Sequence, residues 1–471
     1  MSENVILLEF NELSPTLMNR FINQGHLPNF KRFSEESAVY LTEAKERAPH
    51  LDPWIQWVTV HTGLNFDEHK LEQLNEGHTL EAKRIWDYVA ERNRSSWICG
   101  SMNVGHRPGI RGAVMPDPWT TYVQPTPDDL NPFFSFIQRN VLEYTNRKVP
   151  LTRADYLNFV KFMATHGLSP STMLAIAKQL MKEVRGQDRW KRAVILDKLQ
   201  FDVFRHFYNK MKPAFSTFFL NSTAHFQHFY WRNMEPEIFT EKMSPEEAAK
   251  YESAILFGYQ EMDGLVGKFI DLAGRDATLV FCTAISQQPY LAYEGKGGKN
   301  AYRPSKFETL VKFAGVAEPF RVAPVMAHQF HVYLDTEEAA QRAEVQLKAL
   351  TLNGRQAMSV IRTGAQIFSG CHVYDNLPAN QQIVAAETGK SANFFDLFYK
   401  IEGLKSGMHH PDGMLWIRRP DRAHSHHAEK VPLSAVAPTL LDLLGIEQPS
   451  TMKDASILRS GERREPALTH A

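Results

Sequence analysis

The chain of 471 residues has little cysteine. Cys99, Cys282 and Cys371 are three in number and far apart in sequence. An odd and scattered set argues against a disulfide framework and against a cysteine-only zinc site. Net charge is also missing, because 53 Lys and Arg balance 53 Asp and Glu. A protein that neutralises a nucleic-acid backbone needs a basic excess, so no nucleic-acid partner is expected. No apolar run reaches the roughly 18 residues of a membrane span. The first residues lead straight into Val5 with no basic leader and no separate apolar segment. A soluble, cytoplasmic protein without a membrane span is the expectation. The chain has no G-x-S-x-G elbow, P-loop, G-x-G-x-x-G or H-E-x-x-H, so the common hydrolase, triphosphatase, dinucleotide and metalloprotease readings lack their motifs. No internal repeat or low-complexity tract is visible.

What is present is an ordinary globular composition, 43% hydrophobic with 30 Phe, enough for a sizeable core. Val5 to Leu8 is an apolar run suited to a strand buried on both faces. A polar turn, Glu9 to Glu12, follows it, then a helix with Ser14 as N-cap, Pro15 at the first position and Gly25 as stop. Strands are predicted over 96–99, 217–220, 278–283 and 414–417, with helices over 82–94 and 436–444. A long helix should start at Ser244-Pro245-Glu246-Glu247 and keep its apolar spacing to Ile270. This alternation predicts an α/β fold, a mostly parallel central sheet with helices on both faces. Two stretches break the rhythm. The expected division is α/β core over 1–119, a mainly helical insertion over 120–213, core over 214–304, a smaller α+β cap over 305–405, core over 406–450, and a polar, poorly ordered tail over 451–471.

Histidine is abundant, with 19 residues. His225 and His228 are spaced to share one side of a helix just after a strand, a geometry that suits a divalent metal or a packed, hydrogen-bonded pair. His409 and His410 precede a tight turn and a strand, as ligands, phosphate-facing donors or plain loop residues. Asp52 stands before Pro53 at a helix start, where an acid can act as nucleophile or cap the helix, and His50 is near enough to assist. His424 to His427 reads as a solvated loop, His328 and His331 as packing residues, and Gly295 to Lys299 as a flexible basic hairpin.

In order along the chain, several segments resemble one family. They are Gly25-His26-Leu27-Pro28-Asn29-Phe30, Pro53 to Gly63, Phe219 to Trp231 with Gln227-His228, Glu261-Met262-Asp263, His410 to Arg418, and Ala437-Pro438-Thr439-Leu440-Leu441-Asp442-Leu443-Leu444-Gly445. They are spread in order from residue 25 to residue 445. They resemble the alkaline phosphatase superfamily, in its type I phosphodiesterase/nucleotide pyrophosphatase branch, a sulfatase-like fold. The resemblance implies two divalent metals, usually zinc, between aspartates and histidines, and a Thr or Ser that attacks phosphorus. Two metals suit that reaction because they stabilise the attacking and leaving oxygens. Several family positions have changed here. Asn11 stands for the first aspartate, and Asn221, Ser222 and Thr223 stand where another is expected. Ala284-Ile285 replaces an Asp-His pair, and only Asp52 lies at the nucleophile position. His228 and His410 survive by position.

The expectation is an incomplete two-metal site. One zinc or manganese ion would be held by His228 and His410 with His225 and Asn11. Asp52 and His50 would be catalytic, and Asn221, Thr223 and His409 would bind substrate. The substrate would be a small phosphate or sulfate ester, on a glycan or nucleotide. The alternative is a catalytically degenerate, metal-free binding or scaffold protein for an anionic glycan or nucleotide.

Overall fold

The computed structural model describes residues 4–107, 109–145, 151–186, 188–324, 329–401 and 404–462. His328 and the last nine residues of the tail lie outside the described residues. The strands used below are β1 (Val5–Phe10), β2 (Ala38–Glu43), β3 (Ser96–Cys99), β4 (Gly112–Met115), β5 (Phe215–Leu220), β6 (Thr278–Cys282), β7 (Ser286–Pro289), β8 (Gly407–His410), β9 (Asp412–Arg418) and β10 (Ser425–His426), with β7 and β8 forming a two-stranded sheet of their own. The helices used below are α1 (Pro15–Asn23), α2 (Pro28–Glu35), α3 (Pro53–Thr62), α4 (Arg153–Thr165), α5 (Pro170–Val184), α6 (Ala193–Met211), α7 (Ser222–Met234), α8 (Ala254–Ala273) and α9 (Val436–Leu443).

The main sheet has the order β10-β2-β9-β6-β1-β5-β3-β4. β1 pairs parallel with β5 and β6, and β3 pairs parallel with β4 and β5. β9 runs antiparallel to both its neighbours, β2 and β6. This gives the mostly parallel α/β sheet expected from the alternation of elements. Period-two alternation feeds two cores. Ile6, Leu8 and Phe10 of β1 face the cluster that holds α1, α2 and α8. Val5 and Leu7 face the cluster that holds α3 and α9. Both faces are therefore closed by helices, which is why β1 reads as a continuous apolar run. On the first face Phe10, Phe30, Phe281 and Trp416 meet edge-on or tilted at 5.1–6.4 Å, each pair worth about 0.5–1.5 kcal/mol beyond its buried area. A third core, from Tyr302 to Phe398, packs helix Glu337–Lys348 on antiparallel strands.

Several local expectations shift. The long helix breaks into Pro245–Tyr251 and α8, because Ser253 starts a second N-terminus. Ser425 and His426 form an edge strand beside Ala38 and Val39, and His427 stacks on Tyr40, so this solvent-exposed cluster is partly edge strand and not all loop. The tail remains ordered through helix Ile457–Glu462, where Ser456 donates to Asp442 at 2.8 Å and Ile457 is buried. Among the described residues, no helix is long and apolar enough to cross a membrane.

Candidate functional site

Five chain segments reach the same end of the sheet. β1, β5 and β6 finish there in Asn11-Glu12, Asn221 and Thr283. β9 is reversed, so its start and the preceding β8 come to the same end. α3 begins beside them. In open α/β sheets this end is where ligands bind.

The centre is Glu12. Its backbone lies at φ +61°, a left-handed conformation uncommon for a residue with a side chain. That conformation turns the carboxylate off the strand and into the space between α7 and β8. Asn11 Nδ2 donates to Glu12 Oε1 at 2.8 Å, and Gln287 Nε2 donates to Oε2 at 2.5 Å. Two imidazoles also face Oε2, His228 Nε2 at 3.1 Å and His409 Nε2 at 3.4 Å. Glu12, His228 and His409 each offer one ligand atom, all within 4.8 Å of one another. Among the described residues this is the one such group.

Both rings are held from behind. His228 Nδ1 is 3.1 Å from the Gly407 carbonyl, and His409 Nδ1 is 2.7 Å from the Leu51 carbonyl. A carbonyl only accepts, so each Nδ1 carries the hydrogen and each Nε2 is turned toward the carboxylate. Gly407 is needed for this approach, since a Cβ there would sit 2.3 Å from the Gln227 carbonyl. Burial pushes the His228 ring down to about 4, with Lys405 adding to the effect and Glu12 opposing it. Burial also works against a charged His409, yet Glu12 and Asp52 lift it to about 10. Burial would raise Glu12, but His409 and His228 hold it well below the usual carboxylate range.

Asp52 is the N-cap residue of α3, but its side chain does not cap the helix. Instead Oδ1 lies 3.3 Å from His409 Nδ1, and the side chain is 27% exposed. It is a carboxylate at a helix N-terminus, open to solvent on one side. Lys405 stands nearby, and its ammonium has no hydrogen bond or ion pair among the described residues. Burial lowers its pKa, while Glu12 and Asp52 pull the other way.

The structure brings together some of the residues the sequence marked. Asp52, His228 and His409 meet. Asn11 lies at the site, but its Oδ1 accepts from Trp57 Nε1 at 2.8 Å and its Nδ2 is shared between Glu12 and Asn221. Its amide is committed to positioning Glu12 and is not turned out as a ligand. Asn221 serves as its acceptor at 2.7 Å. His410 was expected in the metal set; successive strand residues alternate in direction, and it is His409 that faces Glu12 beside His228. His410 Nδ1 accepts from the Asp412 amide at 3.2 Å. His225 tilts over Phe229 at 4.9 Å, outside the three-residue group, and burial pushes it to about 4. His50 stacks on Phe66 at 4.3 Å, so the imidazole beside Asp52 is His409 and not His50. Thr223 is buried against Gly258 of α8. Glu12 was missed, being read as part of a polar turn. A carboxylate directly after Asn11, at the end of the first strand, was the available signal.

No family profile matches the chain, and no curated protein matches it. Solved structures do resemble it. Murine ectonucleotide pyrophosphatase/phosphodiesterase 5 is 8% identical over 98% of this chain and 99% of that one, with a TM-score of 0.42. Phosphonoacetate hydrolase from Sinorhizobium meliloti 1021 is 12% identical over 94% and 95%, with a TM-score of 0.40. A variant of the alkaline phosphatase PafA is 12% identical over 97% and 98%, with a TM-score of 0.45. At such identities and scores, nothing about this chain's chemistry follows from the likeness.

Proposed function

We propose that this protein hydrolyses or transfers the phosphate or sulfate ester of a small sugar- or nucleotide-like molecule, with one divalent ion, zinc or manganese, held by Glu12, His228 and His409. One observation carries the reading. Two imidazole Nε2 atoms, each fixed by a carbonyl behind it, converge on one carboxylate oxygen next to the uncapped Asp52.

The donor set fits a single ion. One carboxylate and two imidazoles are the usual ligands of such ions, and hydrogen-bonded Nδ1 atoms are the usual support. Asn11, Asn221, Ala284 and Ile285 stand where a second ion would need charged or imidazole donors, and two dications without carboxylates are costly to hold. A bound dication supplies charge stabilisation to the ester oxygens. The protein's own groups do the rest. The ammonium of Lys405 and the first turn of α3 attract the anionic group. Asp52 serves as nucleophile or general base. His409 holds the Asp52 carboxylate through Nδ1–H.

The alternative reading, a metal-free binding protein for an anionic glycan or nucleotide, is favoured by the Glu12–His409 pair, which is complete when His409 carries a proton. Turnover separates the two. With p-nitrophenyl and bis-p-nitrophenyl phosphate and p-nitrophenyl sulfate, Asp52→Asn is expected to abolish turnover with the melting temperature unchanged. Unchanged turnover contradicts the role of Asp52. Stabilisation by a ligand with no turnover in the parent protein supports the binding reading.

A further inference from the structure

The helical stretch before β5 carries a surface that a soluble helix pair does not need. Fourteen large apolar side chains are exposed among the described residues, and eight of them fall between Tyr156 and Val184. On α5 the usual pattern is inverted. Its buried positions are polar, Thr172 at 1% and Gln179 at 9% exposure. Gln179 Nε2 donates to Glu183 Oε1 and to the Asp188 carbonyl, both at 2.9 Å. The outward face carries Met173, Leu174, Leu180, Met181 and Val184, the last 89% exposed. These recur at helical spacing and form one apolar stripe pointing away from the body. α4 buries Phe159, Phe162 and Met163 and turns Tyr156, Leu157 and Val160 outward.

The charges on these helices have one sign where they are exposed. Arg153, Lys161, Lys178, Lys182 and Arg185 are exposed. The two acids are less exposed and already paired, Asp155 with Arg139 at 2.7 Å and Glu183 with Arg192. Lys182 also lies 3.6 Å from Asp188. An apolar stripe flanked by cations fits the boundary of an anionic bilayer, with the apolar residues among the acyl chains and the cations at the headgroups. A second copy docked on the same face would set cation against cation.

We propose that α4 and α5 seat this protein on the surface of an anionic lipid bilayer, as a peripheral protein that does not span it. The proposal is independent of the reaction assigned to the Glu12 centre.

The test is co-sedimentation of the full chain with vesicles, one set of phosphatidylcholine and one of equal parts phosphatidylcholine and phosphatidylglycerol. The expected result is binding to the mixed vesicles that weakens with added salt, and little binding to phosphatidylcholine alone. Leu174→Glu with Leu180→Glu should lower the bound fraction at least about tenfold. Lys178→Glu with Lys161→Glu should weaken binding about fivefold or more per lysine. All four positions are exposed, and far-UV circular dichroism checks that the variants stay folded. Absence of binding to mixed vesicles overturns the proposal, as does binding that neither pair of substitutions changes. A dimer in sedimentation equilibrium that Leu180→Glu disperses, without vesicle binding, also overturns it and makes the face an interface between copies.

Discussion

β1 supplies two glutamate–histidine centres, and their difference shows what position does to the same chemistry. Glu9 lies on the face of β1 that meets α3, among Trp57 and Trp86. Its Oε1 is 2.7 Å from His61 Nε2, and both side chains have no exposure. Glu9 Oε2 and His61 Nδ1 are buried with no hydrogen-bond partner among the described residues. Three residues on, Glu12 has passed the end of the strand. It faces two imidazoles, is oriented by Asn11 and Gln287, and lies beside the part-exposed Asp52. The first pair is sealed in the sheet, with no side-chain exposure. The second is at the end where a ligand can enter. A Glu–His contact is thus no sign of a site until access and the support behind the rings are known.

Removing half of the sealed pair should break the comparison most sharply in stability. Glu9→Ala leaves the His61 ring without a partner in a dry core and should cost about 3–5 kcal/mol, read as a lower denaturant midpoint. Replacing both Glu9 and His61 with leucine should recover most of that loss, since nothing polar is then stranded.

Asp197 sharpens the comparison from the other side, as a buried carboxyl with no histidine. Ser222 donates to its Oδ2 at 2.5 Å, and burial pushes the carboxyl up to about 7. The folded chain therefore holds a proton that the unfolded chain gives up near pH 4. Stability from this group is full below pH 4 and falls as pH rises to about 7, by roughly 3–4 kcal/mol. Asp197→Asn should flatten the stability profile over that window and leave the variant the more stable chain at pH 8. A profile unchanged by the substitution would contradict the protonated state.

Much of the sheet was legible because burial on both faces writes apolar runs into β1, β5 and β6. The reversal of β9 was not, since strand direction leaves no mark in a short apolar run. The break before α8 was hidden because the apolar spacing continues across Ser253. At the site, Asp52 and His228 were legible from a helix start and a helix spacing. Glu12 was not, because its role depends on a left-handed turn that a sequence shows plainly only when glycine occupies it. The choice between His409 and His410 hung on the register of β8 against β7, where His409 opposes Gln287 and His410 opposes Ser286. A one-residue register decides which side chain faces the site, and two adjacent histidines carry no record of it.

The central claim is that Glu12, His228 and His409 hold one divalent ion. Elemental mass spectrometry on chelator-free protein, purified without a metal-binding tag and supplied with zinc or manganese, tests it most directly. The account predicts one equivalent per chain, lost in Glu12→Gln and in His409→Ala and kept in His410→Ala. No bound metal, two equivalents, or one equivalent that survives Glu12→Gln would contradict it.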